Sequence, residues 1–452
     1  MATGKVPHND RTSEMDVIPI TVLAVGLIFL LMALGTPVFA ALALSGAFGI
    51  IMVEDAGFLL ARLKSFSFIH TANYALTVIP LFILMGAFAH HAQVGKRLFH
   101  VANKWVGHLP GGLAMASILT SAGFAATSGS SVATAATVGS VAIPEMKQKG
   151  YDRRLAAGAV AAGGVLGVLI PPSVLLIFYA ALTEVSAGKM LIAGFVPGLI
   201  TTVAFMLGVA LIGHKVQDRT TRAPRAPWAE RLSATTQAWQ VVVLFLIVLG
   251  GIYLGLVTPT EAGAIGALAA FVMLLLARSA RGNLGGALSE SFRSTATTTV
   301  MILFIMIGAG IFSYFLTLVQ VPQMIAGAIT QSGVSPYVIV AVLLLAYIPL
   351  GMFLDAFSMM VITLPIVFPT ISGLGFDPIW FGILCVKMCE IGLITPPVGL
   401  NCFVIAGIDR DTPLPDVFRG ALWFVAIEMV TIVLLFAFPQ IVTWLPDTMM
   451  AR

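Results

Sequence analysis

Charged residues are scarce in this 452-residue chain: 10% are Asp, Glu, Lys or Arg, whereas 59% are hydrophobic and the mean hydropathy is +1.01. Soluble globular domains carry about 25% charged residues. The composition therefore lies far outside that of a soluble enzyme or binding protein. It indicates an all-α, polytopic membrane protein embedded in a lipid bilayer.

Cysteine and the common catalytic motifs are nearly or wholly missing as well. The three cysteines, Cys385, Cys389 and Cys402, lie in apolar sequence, so we interpret them as small packing residues rather than a disulfide framework or metal site. No glycine-rich phosphate loop ends in Lys-Ser or Lys-Thr, which argues against direct coupling to ATP. No His-Glu-x-x-His occurs, and neither an enzymatic activity nor a nucleic-acid partner is expected.

What the chain does contain is one arrangement of prolines used twice. A short distinctive stretch is followed by a single proline and then by a proline pair, and both proline landmarks recur at an offset of 225 residues. The first copy consists of Thr127-Ser-Gly-Ser-Ser131, Pro144 and Pro171-Pro172, and the second of Gly351-Met-Phe-Leu-Asp355, Pro369 and Pro396-Pro397. Two coincident offsets indicate an internal repeat.

Each proline pair lies inside a long apolar segment. Proline lacks a backbone donor and clashes with the preceding turn, so each segment is predicted to be two half-helices joined by unwound backbone. Such backbone cannot face lipid and must be buried in protein or line a polar cavity. Corresponding interruptions in two halves of a chain are typical of the midplane binding site of secondary transporters.

The apolar windows divide the chain into two repeats of about five spans each. Two apolar regions are too long for one span and too short for two, so we interpret them as re-entrant hairpins. The predicted segments are a polar N-terminal extension at 1–16, a first repeat at 17–212 with a hairpin at about 112–145 and a broken helix at about 154–186, a cytoplasmic basic linker at 213–235, and a second repeat at 236–452 with a hairpin at about 336–373 and a broken helix at about 377–408. We also expect an interfacial helix at about 54–70 and a last span at 417–445.

Charge placement predicts that the second repeat is inverted relative to the first. An odd number of spans per repeat requires this inversion. The turn after the first hairpin carries Lys147, Lys149, Arg153 and Arg154, whereas the turn at 372–377 after the second carries no Lys or Arg. By the positive-inside rule, the first hairpin opens from the cytoplasm and the second from the opposite side. Arg62 and Lys64 fall on the wrong side in this topology.

The hydroxyl-rich stretch of the first hairpin has two interpretations. On one helix, Thr127, Ser130, Ser131 and Thr134 would share a face and bond back to their own carbonyls in close helix packing. Alternatively, the residues Thr127, Ser128, Gly129, Ser130 and Ser131 form the hairpin tip and offer oxygen atoms to a cation or to the ligand.

Asp355 occupies the matching place in the second hairpin. A carboxylate at membrane depth is costly and marks a functional site by default. An Asp at a helix start also caps free N–H groups. Both roles remain open for this residue.

The predicted unwound elements, Gly163-Gly-Val-Leu-Gly167 through Pro172 and Gly392-Leu-Ile-Thr-Pro-Pro-Val-Gly399, are candidates for ion and substrate binding. Their carbonyls, together with the Thr395 hydroxyl, are oxygen ligands of the kind that a hard cation prefers. The half-helices that follow Pro171-Pro172 and Pro396-Pro397 would turn positive N-terminal ends toward an anionic ligand. A plain kink is the alternative.

Two further acidic residues have structural explanations. Lys387 and Glu390 form an i, i+3 pair that can neutralise itself inside the protein. In the alternative interpretation, Lys387 binds a substrate carboxylate. Thr258-Pro-Thr-Glu261 has the pattern of a capping box with proline at the first helical position.

Several long motifs resemble the large permease subunit of tripartite ATP-independent periplasmic (TRAP) transporters, and the resemblance covers nearly the whole chain after the first 16 residues. The motifs are Thr127-Ser-Gly-Ser-Ser-Val-Ala-Thr134, Ile143-Pro-Glu-Met146, Gly150-Tyr-Asp-Arg153, Gly167-Val-Leu-Ile-Pro-Pro-Ser173, Leu350-Gly-Met-Phe-Leu-Asp355 and Glu390-Ile-Gly-Leu-Ile-Thr-Pro-Pro-Val-Gly-Leu-Asn401.

The resemblance implies a sodium-driven importer of an organic acid in a bacterial inner membrane. It implies an elevator mechanism and two partners, a small TRAP membrane subunit and a periplasmic solute-binding protein. Sodium sites in this family lie between each hairpin and its broken helix. The matching positions here are Ser128, Gly129, Ser130 and Ser131 with Gly164 and Gly167, and Gly351 to Asp355 with Gly392 and Thr395.

A stand-alone, ion-coupled carboxylate transporter of similar inverted-repeat fold is the alternative function. A membrane scaffold or channel without alternating access is a third. Dependence on an external binding protein separates the first two, and counterflow of labelled substrate separates both from the third.

Overall fold

The computed structural model describes residues 14–72, 74–216, 224–277, 282–331 and 333–450. Every regular element within these ranges is helical, which confirms the all-α prediction. Two parts of the predicted segments lie outside the described residues. They are residues 1–13 of the N-terminal extension and residues 217–223 of the basic linker, which include Arg219 and Arg222.

The helices of the first half are, in chain order, α1 (Glu14–Ala33), α2 (Val38–Val53), α3 (Ala56–Thr71), α4 (Val78–His91), α5 (Val94–Val106), α6 (Gly112–Ser128), α7 (Ser131–Gln148), α8 (Arg153–Leu169), α9 (Val174–Thr183) and α10 (Ala187–Val216). A short 3₁₀ helix, Tyr74–Thr77, precedes α4.

The helices of the second half are α11 (Trp228–Thr235), α12 (Trp239–Phe245), α13 (Gly251–Tyr253), α14 (Pro259–Leu276), α15 (Leu284–Leu318), α16 (Val321–Gln331), α17 (Pro336–Gly351), α18 (Ala356–Gly373), α19 (Pro378–Gly392), α20 (Leu400–Ile408), α21 (Leu414–Ala437) and α22 (Gln440–Met450). A π-helical turn, Leu246–Gly250, joins α12 to α13.

Six helical segments of the described residues are long and apolar enough to cross a membrane. Two bent pairs, α4 with α5 at 66° and α8 with α9 at 43°, raise this number to eight if each pair is one span. The apolar parts of α1 and α2 are shorter, at 17 and 16 residues. The chain is therefore a multi-pass membrane protein by length and composition.

The last predicted span, 417–445, corresponds to α21, which is long and apolar enough to cross a membrane, but the helix does not continue to residue 445. Helix α21 ends at Ala437 and α22 begins at Gln440. Phe438 adopts φ −127° and ψ 76°, because the ring of Pro439 disfavours a helical conformation in the residue before it.

The chain divides into two compact units. The first comprises Met1–Asn73, Val300–Ser335 and Val361–Leu374. In it, α2 and the second part of α15 cross through glycines: a methyl group at Gly46 would lie 2.8 Å from the Phe312 backbone, and one at Gly308 would lie 2.3 Å from the Phe39 carbonyl oxygen. Small residues allow this close crossing of membrane helices.

The second unit comprises Tyr74–Thr299, Pro336–Met360 and Gly375–Arg452. Its core consists of the first halves of the two broken helices: all residues from Leu155 to Leu169 in α8 and from Ile379 to Gly392 in α19 are buried. A helix that is apolar all round is typical of a segment enclosed by other helices. The two proline-interrupted segments therefore lie at the centre of this unit.

Local capping sets the helix starts that position these segments. Asp152 accepts hydrogen bonds from the first turn of α8, and Asp377 accepts one from Trp380 in α19. Side-chain oxygens at these positions satisfy N–H groups that lack a helical partner. The predicted capping box of Thr258 and Glu261 is confirmed at the start of α14.

Candidate functional site

The tip of the first hairpin is two residues long. Helix α6 ends at Ser128, Gly129 turns the chain with φ +62°, and Ser130 caps α7 by accepting a bond from Ala133. The Ser128 and Thr134 hydroxyls lie 2.9 Å apart across this turn. Only glycine adopts such a left-handed conformation without a steric penalty.

This geometry corrects one interpretation of the sequence. Thr127, Ser130, Ser131 and Thr134 do not share one helical face, because the break at Gly129 places Thr127 on α6 and Thr134 on α7. The Thr127 hydroxyl bonds back to the Phe124 carbonyl at 2.8 Å, as the packing interpretation expected for that residue.

The tip packs directly on the first broken helix. The Gly129 carbonyl accepts a hydrogen bond from Val174 N at 3.3 Å. A methyl group at Gly129 would lie 2.6 Å from the Pro172 carbonyl oxygen, and one at Gly167 would lie 2.5 Å from the Ser130 carbonyl oxygen. The predicted residues Ser128 to Ser131 and Gly167 therefore lie together beside the Pro171-Pro172 break.

The break itself spans Ile170 to Ser173, between α8 and α9. The predicted unwound element is therefore wrong from Gly163 to Gly167, which are helical residues of α8, because proline interrupts the helix only close to its own position. The Pro171-Pro172 bond of the break is cis. Ser173 caps α9 by accepting a bond from Leu176 N at 3.2 Å, and its hydroxyl donates to the Val168 carbonyl. The hydroxyl thus satisfies one free group on each side of the unwound segment.

The second cluster lies where α17 meets α19. A methyl group at Gly392 would lie 2.5 Å from Gly351 Cα, and one at Gly351 would lie 2.9 Å from Gly392 Cα. The two glycines bring the last residue of α17 into backbone contact with the end of α19. The predicted pair Gly351 and Gly392 is therefore brought together.

Asp355 lies just before α18 and caps it. Its carboxylate accepts bonds from Phe357 N at 3.0 Å and Ser358 N at 3.3 Å, and from the Ser358 hydroxyl. The Phe357 ring contacts Phe178 of α9 edge-on, with centroids 5.1 Å apart. The second tip therefore also touches the first broken helix. The capping role of Asp355 is confirmed, and a role in cation binding remains a prediction.

The second break spans Leu393 to Gly399, with a cis Pro396-Pro397 bond. The Thr395 hydroxyl donates to the Ile391 carbonyl at 2.6 Å. Gly399 has φ +50°, and α20 begins there without a side-chain cap. The backbone N–H of Asn401 donates a hydrogen bond to the Leu393 carbonyl at 3.0 Å, which closes the turn.

Asn401 was not predicted as a site residue, yet it joins the second broken helix to the first cluster. Its side-chain nitrogen donates to the Ser131 hydroxyl at 2.7 Å and to the Ala161 carbonyl at 3.4 Å. Its buried Oδ1 atom has no hydrogen-bond partner among the described residues. Gly164 makes room for it, because a methyl group there would lie 2.9 Å from Asn401 Nδ2. The sequence signal that could have identified Asn401 is an amide side chain within an apolar half-helix, because a buried amide needs hydrogen-bond partners.

Lys387 pairs with Glu428 and not with Glu390, which corrects the predicted i, i+3 pair. The ammonium donates to Glu428 at 2.5 Å and to the Thr201 hydroxyl at 2.7 Å, and neither charged side chain is exposed. Lys387 pairs with Glu428 on another helix, and not with Glu390, because an ion pair inside a protein needs close, well-directed contact. Neither Glu428 nor Thr201 was predicted.

Outside the spans, ion pairs connect the end of α7 and the start of α8 with the loop after α20 and the start of α21. Lys147 donates to Asp409 at 2.5 Å and to Asp411 at 3.0 Å, and Arg154 pairs with Asp416 at 2.9 Å. The hydrogen bonds to Asp409 and Asp411 raise the pKa of the Lys147 ammonium. Burial raises the pKa of the Asp409 carboxyl, but hydrogen bonds from Lys147 and Thr412 outweigh it, so this pKa lies below its ordinary value.

Two hairpin tips packed against two proline-broken helices are thus the central feature of the second unit. Residues 25–441 match the family described as the tripartite ATP-independent periplasmic transporter, DctM component. The chain belongs to this family. The TRAP permease is a transporter subunit and not an enzyme.

The names of relatives of this permease refer to different transported compounds. The chain is 40% identical over 410 residues to the C4-dicarboxylate TRAP transporter large permease protein DctM of Pseudomonas aeruginosa, covering 90% of this chain and 93% of that protein. It is 30% identical over 375 residues to the sialic acid TRAP transporter large permease protein SiaM of Vibrio cholerae, covering 83% and 87%.

A solved transporter shares the fold of the permease. The YdaH transporter of Alcanivorax borkumensis superposes with a TM-score of 0.64 at 16% identity, covering 92% of this chain and 98% of that one. At this identity the likeness concerns the fold alone. It agrees with the polytopic helical architecture predicted from the sequence.

Proposed function

We propose that this permease imports an organic acid, such as a C4-dicarboxylate or sialic acid, with sodium as the coupling ion. It acts in the bacterial inner membrane as the large subunit of a three-component system, with a small TRAP membrane subunit and a periplasmic solute-binding protein. The tripartite family and the names of its relatives support this assignment.

The observation that carries the proposal is the oxygen-rich first tip against the Pro171-Pro172 break. The tip contributes the Ser128 and Ser131 hydroxyls, and it packs so closely on the broken helix that the Pro172 carbonyl oxygen lies beside Gly129 and the Ser130 carbonyl oxygen lies beside Gly167. Hard cations bind such oxygen atoms. The Asn401 Oδ1 atom, which has no hydrogen-bond partner in the described parts of the chain, adds a buried acceptor close by. We assign the first sodium site to Ser128, Gly129, Ser130, Ser131, Gly164 and Gly167.

The second sodium site is proposed at the Gly351 and Gly392 contact, with Asp355 and Thr395. The Asp355 carboxylate already accepts three hydrogen bonds. Cation binding there would use the remaining capacity of its oxygens, which together offer about four lone-pair positions.

The organic acid is proposed to bind between the two breaks, near Thr127, Pro171, Pro172, Pro396 and Pro397. Helices α9 and α20 begin just after these prolines, and the N-terminal ends of helices attract anionic groups. Direct contact of a substrate carboxylate with Lys387 would require its pair with Glu428 to open.

We propose an elevator mechanism in which the hairpins and broken helices move as one transport domain. Burial of α8 and α19 on all sides supports this, because a rigid core can move without exposing its unwound backbone to lipid.

The test is uptake into proteoliposomes that contain this chain with its genomically adjacent small subunit and binding protein. Labelled C4-dicarboxylates and sialic acid are supplied with an inward sodium gradient or with potassium in its place. We expect uptake only with all three proteins and sodium. Uptake by this chain alone would favour the stand-alone carboxylate transporter, and uptake unaffected by sodium replacement would contradict the coupling.

A further inference from the structure

Arg231 is a buried cation at the start of an apolar segment. It lies in α11, where the candidate membrane span Trp228–Tyr253 begins, and its exposed fraction is 4%. Its Nε atom has no hydrogen-bond acceptor among the described residues. A buried charge is costly unless it is paired and hydrogen-bonded. The guanidinium therefore lacks a partner that its burial requires.

Two tryptophan rings and one imidazole surround this guanidinium. The Arg231 Cζ atom lies 5.8 Å from the centre of the Trp105 ring and 5.3 Å from that of the Trp228 ring. The Nη2 atom of Arg231 lies 3.5 Å from Nδ1 of His108. The faces of aromatic rings attract a cation, but they carry no net charge. The positive charge of Arg231 is thus stabilised by its surroundings and not neutralised.

In the described part of the chain, no carboxylate balances the charge of Arg231. The adjacent acid, Glu230, pairs instead with Lys104 of α5 at 2.7 Å. Burial and the positive charges of Arg231 and Arg225 lower the pKa of His108, and no acidic group opposes them among the described residues. We call Arg225, Arg231 and His108 the Arg231 cluster. It is a positive site that lacks an anion.

An exposed apolar edge adjoins the Arg231 cluster. Trp228 and Leu232, four residues apart on α11, are 62% and 61% exposed, and Trp239 of α12 is also exposed. Tryptophan is typical of membrane–water interfaces, where its ring lies at the level of the lipid headgroups. The cluster belongs to the predicted cytoplasmic side, and the cytoplasmic leaflet contains anionic lipids. Positive charge beside an apolar edge matches the two ends of such a lipid.

We propose that the Arg231 cluster binds the phosphate group of an anionic phospholipid, whose acyl chains lie against Trp228 and Leu232. A guanidinium donates two parallel hydrogen bonds to phosphate oxygens. The exposed Trp228 ring turns aside to admit the phosphate to Nε. A zwitterionic lipid binds more weakly, because its ammonium group is repelled by the cluster. Free phosphate gains nothing from the apolar edge. The site is separate from the proposed sodium and substrate sites and does not rest on the proposed function.

The first experiment titrates the detergent-purified permease with lipids and counts the bound molecules by native mass spectrometry. The probes are phosphatidylglycerol, phosphatidylethanolamine with the same acyl chains, and inorganic phosphate. Phosphatidylglycerol should bind at the lowest concentration. Arg231→Gln should weaken its binding by about tenfold, because a charge-assisted contact is lost. The matched control Lys96→Gln removes an exposed cation from α5 and should weaken binding by less than about twofold.

Three results of this titration overturn the proposal. They are equal losses in Arg231→Gln and Lys96→Gln, equal binding of the two lipids, and binding of inorganic phosphate in preference to lipid. If Arg231→Gln does not fold, Trp228→Ala takes its place, since it truncates an exposed side chain. Loss of the cation–π contact and of the apolar edge should weaken phosphatidylglycerol binding by about threefold. Unchanged binding in that variant also overturns the proposal.

The second experiment locates the lipid. The permease is placed in phosphatidylcholine vesicles that contain a small fraction of brominated phosphatidylglycerol, since bromine quenches the fluorescence of nearby tryptophan. Quenching should exceed that by the same fraction of brominated phosphatidylcholine. Arg231→Gln should abolish this excess, whereas Lys96→Gln should keep it. Recovery of fluorescence on adding inorganic phosphate, or on adding the small TRAP membrane subunit, would assign the site to that ligand and overturn the proposal.

Discussion

The ion-pair partner of Lys387 in the structure differs from the one that the sequence predicts. The sequence places Glu390 within one helical turn of it, yet the ammonium bonds to Glu428, 41 residues away. Both side chains of the pair are fully buried. The pair therefore depends on the packing of α10, α19 and α21.

We expect Lys387→Met to destabilise the permease. Glu428 would lose its cation in a site closed to water, and removing one partner of a buried pair costs about 3–5 kcal/mol. Thermal unfolding in detergent, followed by circular dichroism, measures the change. The double variant Lys387→Met/Glu428→Leu removes both charges and should regain most of the loss. Equal instability of the single and double variants would show that packing, not charge, supports this region.

At the scale of the elements, contacts between glycines determine how the second hairpin meets the second broken helix. Gly351 and Gly392 approach so closely that a Cβ on either one would collide with the other backbone. The second broken helix also contains Gly407, in the exposed part of α20, where a Cβ would meet nothing within 4 Å. The two positions provide a matched comparison.

Gly392→Ala should lower the free energy of unfolding by about 1–3 kcal/mol, because overpacking forces neighbouring backbone to shift. Sodium-driven uptake should fall with it. Gly407→Ala should be neutral or stabilising by about 0.5–1 kcal/mol, since alanine loses less backbone freedom in a helix than glycine. Denaturation midpoints and uptake rates of the two variants test this. A Gly392→Ala protein as active and stable as Gly407→Ala would contradict a tight tip contact.

At the scale of the whole molecule, inversion of the two repeats remains a prediction from charge placement. It requires the turns after the two hairpins to face opposite sides of the membrane. Gln148 and Ser372 lie at these turns, and both are exposed. The three native cysteines are buried, so the background for labelling is low.

Single cysteines at these positions test the inversion. A membrane-impermeant maleimide should label Ser372→Cys in spheroplasts, which lack the outer membrane and keep the inner membrane intact. Gln148→Cys should react only after the inner membrane is permeabilised. Labelling of both from the same side would rule out inverted repeats, whereas the reverse pattern would place the termini in the cytoplasm.

Much of the local architecture is readable from the sequence because its causes are local. The proline pairs at 171–172 and 396–397 coincide with the helix breaks, since proline cannot continue the preceding helix. The capping box of Thr258 and Glu261 has the same short range. Pro439 likewise marks the end of α21 within the apolar window of the last predicted span.

What only the tertiary structure decided are the polar contacts between distant segments. Asn401 bonds to Ser131 across 270 residues, and Lys387 bonds to Glu428 on another helix. In a membrane protein the apolar background is nearly uniform, so hydrophobic periodicity carries little information about which helices meet. The sequence by itself determined the family, the membrane location and the helix breaks through local backbone chemistry. Helix packing decided which buried polar groups are paired, and in the described part of the chain it left the Glu390 carboxyl oxygens without a hydrogen-bond partner.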